Sequence, residues 1–471
     1  MTPSLPPATT SAAPPPPALP PSGRAVGTPA ALGSGPGTGT GTAPMPAVRA
    51  TGIRGLLEAA TAAIRVAMSG TPGHLRTLGM VGVAATLLFG LAAGQSFRSA
   101  DGALTRAAAN SDQLVRIQAI QTNVVRADAD ATNAFLVGGL EPPAQRADYT
   151  TAITSASQLI AEAAQHQPVD GAALAALNQA LITYTGQVEQ ARANNRQALP
   201  IGAQYLKNAS ADLRTTALPL LKNLSDANNA RVAEEFDRAD RAALWLVIAG
   251  LLTLAVLVLA LVWLARRTRR YLNLPLVAAA VVVLVTLVAG TVGLLAVQTK
   301  VDATRNGVYA ATLATAQARI AGFDAKSNES LTLIARGSGA TFEKAWQASA
   351  ATVTSQLTRL GQNPSSSGMA PLPWPDYASV HTKIRALDDS GDWEGAVALA
   401  TGQGSGTGNA TFTAFDTSSG KQLSALSDQT SQQLGATGDW LPFAAVLGLL
   451  AGAIAAACVW WGVSLRLEEY R

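Results

Sequence analysis

Four blocks of apolar, nearly uncharged residues dominate what this 471-residue chain can become: Thr77–Gly94, Ala242–Ala265, Leu274–Val297 and Leu441–Ser464. Each is about 17–24 residues long, enough for a helix to cross a hydrocarbon core roughly 30 Å thick. That excludes a soluble globular protein, and the length speaks against a single domain. The one cysteine, Cys458, lies inside the fourth block. Neither an intrachain disulfide nor a cysteine-based zinc cluster is therefore available.

Charge orients the four spans. Between the second and third lies a short loop, 266–273, with Arg266, Arg267, Arg269 and Arg270. Arginines so concentrated mark a cytoplasmic loop. Four crossings then place both termini inside, in agreement with Arg49, Arg54, Arg65 and Arg76 before the first span and Arg466 and Arg471 after the last. The two long segments between spans are mildly acidic. Residues 95–241 hold 13 Lys+Arg against 15 Asp+Glu, and residues 298–440 hold 10 against 12. The basic excess of the chain is thus predicted to be cytoplasmic, facing anionic lipid of the inner leaflet and not nucleic acid.

The N-terminal segment 1–47 is rich in Pro, Ala, Gly, Ser and Thr and contains the run Pro14–Pro17. It has no basic-then-apolar signal-peptide pattern. Its composition cannot bury enough apolar surface to fold, so it is expected to be a disordered cytoplasmic tail. In segment 48–74, Ile53, Leu56, Leu57, Ala60 and Ile64 share one helical face, as in a helix lying on a membrane surface.

The chain reads as a tandem duplication. Each half has a span, about 140 residues, then a span, and both run inside to outside and back, so the repeats are parallel. Sequence echoes keep the same order: Thr132–Asn133 and Ser327–Asn328, Ser157–Gln158–Leu159 and Ser355–Gln356–Leu357, Leu224–Ser225–Asp226 and Leu426–Ser427–Asp428. In the first outer segment Ile117, Ile120, Val124, Ala127, Ala131 and Ala134 step by three and four, a coiled-coil-like seam. Turns at Gly138–Pro143 and Pro168–Gly171 separate further helices near 144–165, 172–197 and 202–241, with a kink expected at Pro219. The second segment follows suit, with helices near 299–335, 340–361, 376–388, 392–400 and 410–437. The expected fold is an all-α membrane protein with four transmembrane helices and two extracytoplasmic antiparallel bundles, 95–241 and 298–440, the last span being followed by a short tail, 465–471.

Catalytic chemistry is hard to find. His74, His166 and His381 are scattered, with no triad and no metal-ligand spacing, and Gly404-Ser-Gly406-Thr-Gly408 lacks the lysine of a phosphate loop. No enzyme, cofactor or metal is expected. The second, third and fourth spans carry no Asp, Glu, Lys, Arg or His, which argues against a transport path. What remains is binding outside coupled to an output inside. Candidate ligand or partner contacts lie off the seams: Arg126, Asp128, Asp130 and Asn133 in the first bundle, Asp324, Asn328 and Arg336 in the second, with Trp346 nearby. An arginine there would pair with a carboxylate, as of an amino acid. The same residues also fit a solvated bundle face. Trp374 and Trp393 are expected in the core, with an exposed partner patch as the alternative. Output or lipid contact falls to Arg266, Arg267, Arg269, Arg270, Arg466 and Arg471.

The duplicated bundles, the arginine loop and the tail Arg466–Arg471, over residues 75–471, resemble the four-helix membrane relay of actinobacteria. That family links an extracellular glutamate/aspartate-type amino-acid-binding lipoprotein to the soluble serine/threonine protein kinase G. The resemblance implies that a solute-binding lipoprotein docks on the outer bundles and that a cytoplasmic kinase is reached in trans. The bundles are also similar, at fold level alone, to the four-helix ligand-binding domain of chemoreceptors. A structural or scaffolding envelope protein and an accessory subunit of a transporter stay open as alternatives, as does a homodimer.

Overall fold

Length and hydrophobic period together make the described residues helical almost throughout. The computed structural model describes residues 70–137, 141–268 and 273–468. Segment 1–47, the part of 48–74 before Gly70, Arg269, Arg270 and Arg471 lie outside the described residues, and Arg267 is described in its backbone alone. No strand occurs among the described residues.

In chain order, α1 (Gly70–Val137) rises from the membrane to the bundle tip. α2 (Pro143–His166) descends, α3 (Gly171–Arg196) rises and α4 (Ile201–Asp212) descends. A π turn, Leu213–Ala217, joins α4 to α5 (Leu218–Thr268), which re-enters the membrane. The second half runs through α6 (Leu274–Thr304), a π turn at Arg305–Tyr309, and α7 (Ala310–Ile334). It continues with α8 (Ala340–Gln362), α9 (Trp374–Asp389), α10 (Trp393–Thr401), α11 (Gly408–Gly438) and α12 (Leu441–Glu468).

The kink expected at Pro219 takes a specific form. Proline has no N–H to give to the carbonyl four residues back and its ring crowds that carbonyl. The helix absorbs this in the π turn at Leu213–Ala217, one residue of slack just before the proline.

Four helical runs are long and apolar enough to cross a membrane: Gly73–Val137, Ile201–Arg266, Leu274–Ile334 and Gly408–Glu468. Each is 61–66 residues long, on the order of 90–100 Å at 1.5 Å per residue, so each reaches well beyond a bilayer into a bundle. Within the spans Phe89, Leu246, Leu257, Val283, Leu287 and Val459 pack inward. Leu88, Leu252, Leu259, Val285, Phe443 and Trp461 stay exposed, as a lipid-facing surface must.

The seam on α1 does what its period demands. Ile117, Ile120, Val124, Ala127 and Ala131 are buried against Tyr149, Ala156 and Ile160 of α2, Leu174, Leu181 and Tyr184 of α3, and Leu206 of α4. A second stripe on α1 faces elsewhere. Val125 and Ala129 join the core of the other bundle, beside Ala318, Phe323 and Ala325 of α7 and Phe412 and Phe415 of α11. At the tip Leu136 meets Leu333, Val380 and Ile384. The first helices of the two repeats therefore lie against each other, with alanines at the contact allowing close approach, and the bundles share one continuous interface. Trp374 is buried in the second core. Trp393 is half-buried and donates its indole N–H to the Leu333 carbonyl, 2.9 Å away.

Candidate functional site

An interface of alanines has no place for an unpaired charge, yet two acids stand in it. Asp128 on α1 is 1% exposed. Its carboxylate accepts hydrogen bonds from Ser210 Oγ (2.6 Å) and Tyr184 Oη (3.3 Å) of its own bundle and from Ser327 Oγ (2.6 Å) of the other. Its counter-charge is Arg214, in the π turn. Arg214 Nη1 reaches Asp128 Oδ2 at 3.0 Å and Nη2 reaches Asp324 Oδ1 on α7 at 2.9 Å. Asp324 in turn accepts from Ser349 Oγ (2.6 Å) and Asn328 Nδ2 (3.1 Å). Burial works against the Arg214 charge, but the two carboxylates outweigh it and hold its pKa above the ordinary value. One guanidinium thus clasps the two bundles, using the fork geometry that lysine lacks.

A second bridge has the opposite polarity. Arg126 on α1 lies 3.8 Å from Asp416 of α11, which also binds Arg319 of α7 at 2.6 Å. The repeat sets Asp324 in the place of Asp128 and Asp416 in that of Arg214, so the second bundle has an acid where the first has its clasping cation, and arginines of α1 and α7 answer it. Arg126 also lies 3.8 Å from Asp130. Burial pushes the Asp130 carboxyl up to about 7 against the pull of Arg126, although a quarter of that side chain stays open to solvent. Its Oδ2 has no hydrogen-bond partner.

Beside the clasp the bundles leave a groove of ≈ 730 Å³. Arg214, Lys222, Asp226, Asp324 and Ser349 line it, so groups of both charges face one space. A smaller cleft of ≈ 390 Å³ opens at the tip of the first bundle, between Glu141, Arg146, Arg192 and Arg196. There Arg192 is committed to Glu141 at 2.8 Å and to the face of Tyr149, 4.1 Å from the ring centre.

The structure therefore brings Asp128, Asp324 and Asn328 into one network and Arg126 and Asp130 into another. Asn133 is 9% exposed and its Oδ1 has no partner. Arg336 stands apart at the tip of α7, at positive φ, with its guanidinium over Trp393. At the far ends of the spans, Arg266 is exposed on the last turn of α5 and Arg466 sits in the last turn of α12. Arg214, Ser210, Ser327 and Ser349 were not legible as site residues. Ser327 belongs to a repeated pair and Asp416 follows Arg214 by the same 202 residues as Leu426 follows Leu224, which is the signal that points to them.

The second bundle hides a further polar cluster. Glu329 (1% exposed) accepts from Lys326 at 2.7 Å and lies 2.8 Å from His381 Nδ1, while His381 Nε2 lies 3.2 Å from Glu343. Trp346 stacks on the imidazole at 3.6 Å, and Arg385 stands 3.4 Å from Glu343. Burial opposes charge on His381, but its bonds to Glu329 and Glu343 prevail and raise its pKa above 6.5. Burial likewise opposes the charge of Glu329, yet Lys326 and His381 pull its pKa down to about 2. A raised histidine contributes stability that is complete below its unfolded pKa and fades as pH climbs through the folded one. The thermal midpoint of the second bundle is therefore expected to fall as pH rises above 6.5 and His381 loses its proton. Calorimetry on the wild type and His381→Gln checks this, since the variant should lose that pH-dependent part. Glu329 acts at the other end: its contribution is present above 4.5 and is lost as pH falls through about 2.

Fold and site together define a multi-pass, all-α membrane protein whose paired bundles are continuous with its spans. Residues 103–237, the body of the first bundle, match the model of the actinobacterial sensor domain. That match supports a sensory role in actinobacteria. No curated protein and no solved structure matches the chain.

Proposed function

We propose that the protein is a transmembrane signal relay. It couples an extracytoplasmic amino-acid signal, delivered by a solute-binding lipoprotein, to a cytoplasmic serine/threonine protein kinase in trans. The observation that carries this reading is continuity: three spans run on as helix into the bundles, the fourth joins α11 through a two-residue turn at Asp439 and Trp440, and the clasp ties the bundles where α1, α7 and the π turn meet. A ligand or loaded binding protein that favours one packing of this interface can shift a helix by about 1–2 Å along its whole length. The shift cannot exceed what the ligand's difference in affinity for the two packings provides. The amino-acid part of the reading is supported by the groove at the clasp. Arg214 and Lys222 suit a carboxylate and Asp226 and Asp324 an ammonium, and such a ligand would exchange the Arg214–Asp324 and Lys222–Asp226 pairs for its own. Output would leave through the arginine loop and the tails, where anionic inner-leaflet lipid would hold the basic residues.

Cross-linking in cells, read by mass spectrometry, tests the relay. All seven lysines lie in 95–241 and 298–440, so cross-links mapped to lysine report on the bundles. A photo-reactive residue in place of Tyr271 reports on the loop. The expected result is a solute-binding lipoprotein on the bundle lysines and a protein kinase at position 271. Links only to other copies of the chain or to envelope enzymes would favour a scaffold instead.

A further inference from the structure

Where α1 and α5 leave the membrane side by side, on the bundle side, they enclose a groove of ≈ 800 Å³. Its ionisable lining is of one kind: Arg98 and Arg106 from α1, Arg238 and Arg241 from α5, with no carboxylate among the lining residues. This reverses the sign of its surroundings, because segment 95–241 carries more acids than bases. Two of the four are neutralised from behind. Arg106 binds Glu235 at 3.0 Å, and Arg238 binds Glu234 at 2.6 Å and also Glu235. Arg98 and Arg241 are exposed and have no carboxylate partner among the described residues. Arg241 donates only to the Asp237 carbonyl of its own helix, at 3.1 Å.

Gly102 lies beneath the Arg106 side chain. A Cβ there would lie 3.1 Å from Arg106 Nη1, so the glycine leaves the surface of α1 free for that guanidinium. The lower half of the groove is apolar. Trp245, Ile248 and Leu252 continue down the same face of α5 and remain 64%, 39% and 63% exposed. They belong to the span itself, where their surroundings are acyl chains. Arg241 stands immediately before the second apolar block and Arg98 one helical turn after the first, at headgroup depth.

We propose that this groove holds one anionic phospholipid from the leaflet on the bundle side. Its phosphate sits on Arg98 and Arg241, and its chains lie along Trp245, Ile248 and Leu252. A soluble anion would leave the apolar half uncovered. A zwitterionic lipid would bring its own cation toward four guanidiniums. The lipid then bridges α1 to α5 at the level where the first bundle begins, and so sets how these two helices leave the membrane.

The test uses the purified full-length protein and native mass spectrometry, with phosphatidylglycerol and phosphatidylcholine as competing probes. The expected result is one phosphatidylglycerol retained in preference to phosphatidylcholine. Retention should weaken roughly 10- to 30-fold in Arg98→Gln/Arg241→Gln, which removes two charges near the membrane surface. Both side chains are exposed and lack ion pairs, so the variant should keep wild-type helix content and thermal midpoint. Equal retention by wild type and the double variant, equal competition by phosphatidylcholine, or full displacement of the lipid by millimolar inorganic phosphate would each overturn the proposal. The last would show a free-anion site in its place.

Discussion

Arg214→Ala is expected to lower the thermal midpoint of the paired bundles on the order of 5–10 °C, a loss of about 3 kcal/mol. The variant strands two carboxylates at once. Asp128, 1% exposed, keeps the hydroxyls of Ser210, Ser327 and Tyr184 but loses its cation. Asp324 keeps Ser349 and Asn328. Removing one partner of a buried pair costs about 3–5 kcal/mol, chiefly for the charge left behind, and the lower end applies because Arg214 is 24% exposed to the groove. Two further variants separate charge from geometry. Arg214→Lys restores the charge but cannot span both acids from one planar fork, so it should recover less than half of the loss. Arg214→Ala combined with Asp128→Asn removes the stranded charge and should recover more. Scanning calorimetry of the purified protein reads all three. A midpoint for Arg214→Ala within a degree or two of wild type would show that the clasp does not hold the bundles together.

The same clasp shows where sequence reading stops. The seam from Ile117 to Ala134 was legible because burial on one face forces steps of three and four, and those residues are buried. The tip turn was legible because Pro142 and Pro143 end one helix and start the next. Asp128 could not be told from a solvated charge, because it sits one position from the seam residue Ala127. What buries it is α7, some two hundred residues away in sequence. Arg214 was hidden in another way. It lies five residues before Pro219, in a stretch that reads as a kink, and the π turn that aims it at the interface has no sequence signature. His381 looked isolated for a similar reason, since Glu329 and Glu343 come from two other helices. Period reports which face is buried. It does not report which second element covers a flank, and in a duplicated chain that element is the other repeat.

Gly452→Leu is expected to push α1 and α12 apart inside the membrane and to be the most damaging single change among the spans. Gly90 and Gly94 on α1 face Gly448 and Gly452 on α12, each pair four residues apart, so two small-residue stripes meet backbone to backbone. A Cβ on Gly90 would stand 2.8 Å from the Gly452 Cα, and one on Gly452 would collide with the Gly90 Cα. Backbone cannot step aside as a side chain can. Gly250 makes the control. A Cβ there meets the end of Leu287, a flexible side chain, so Gly250→Ala should be tolerated through a rotamer change at a cost of about 1–3 kcal/mol or less. Pulsed electron resonance between labels on α1 and α12 should show a separation several ångströms longer in Gly452→Leu, and an unchanged one in Gly250→Ala. Because α1 is a single helix from this glycine contact to Asp128, the displacement should also reach the bundles and weaken the clasp, read as easier proteolysis near the tip turns. If the α1–α12 distance stays at its wild-type value in Gly452→Leu, the spans are not locked by this contact. Movement in the membrane and movement between the bundles would then have to be coupled through α5 and α6 instead.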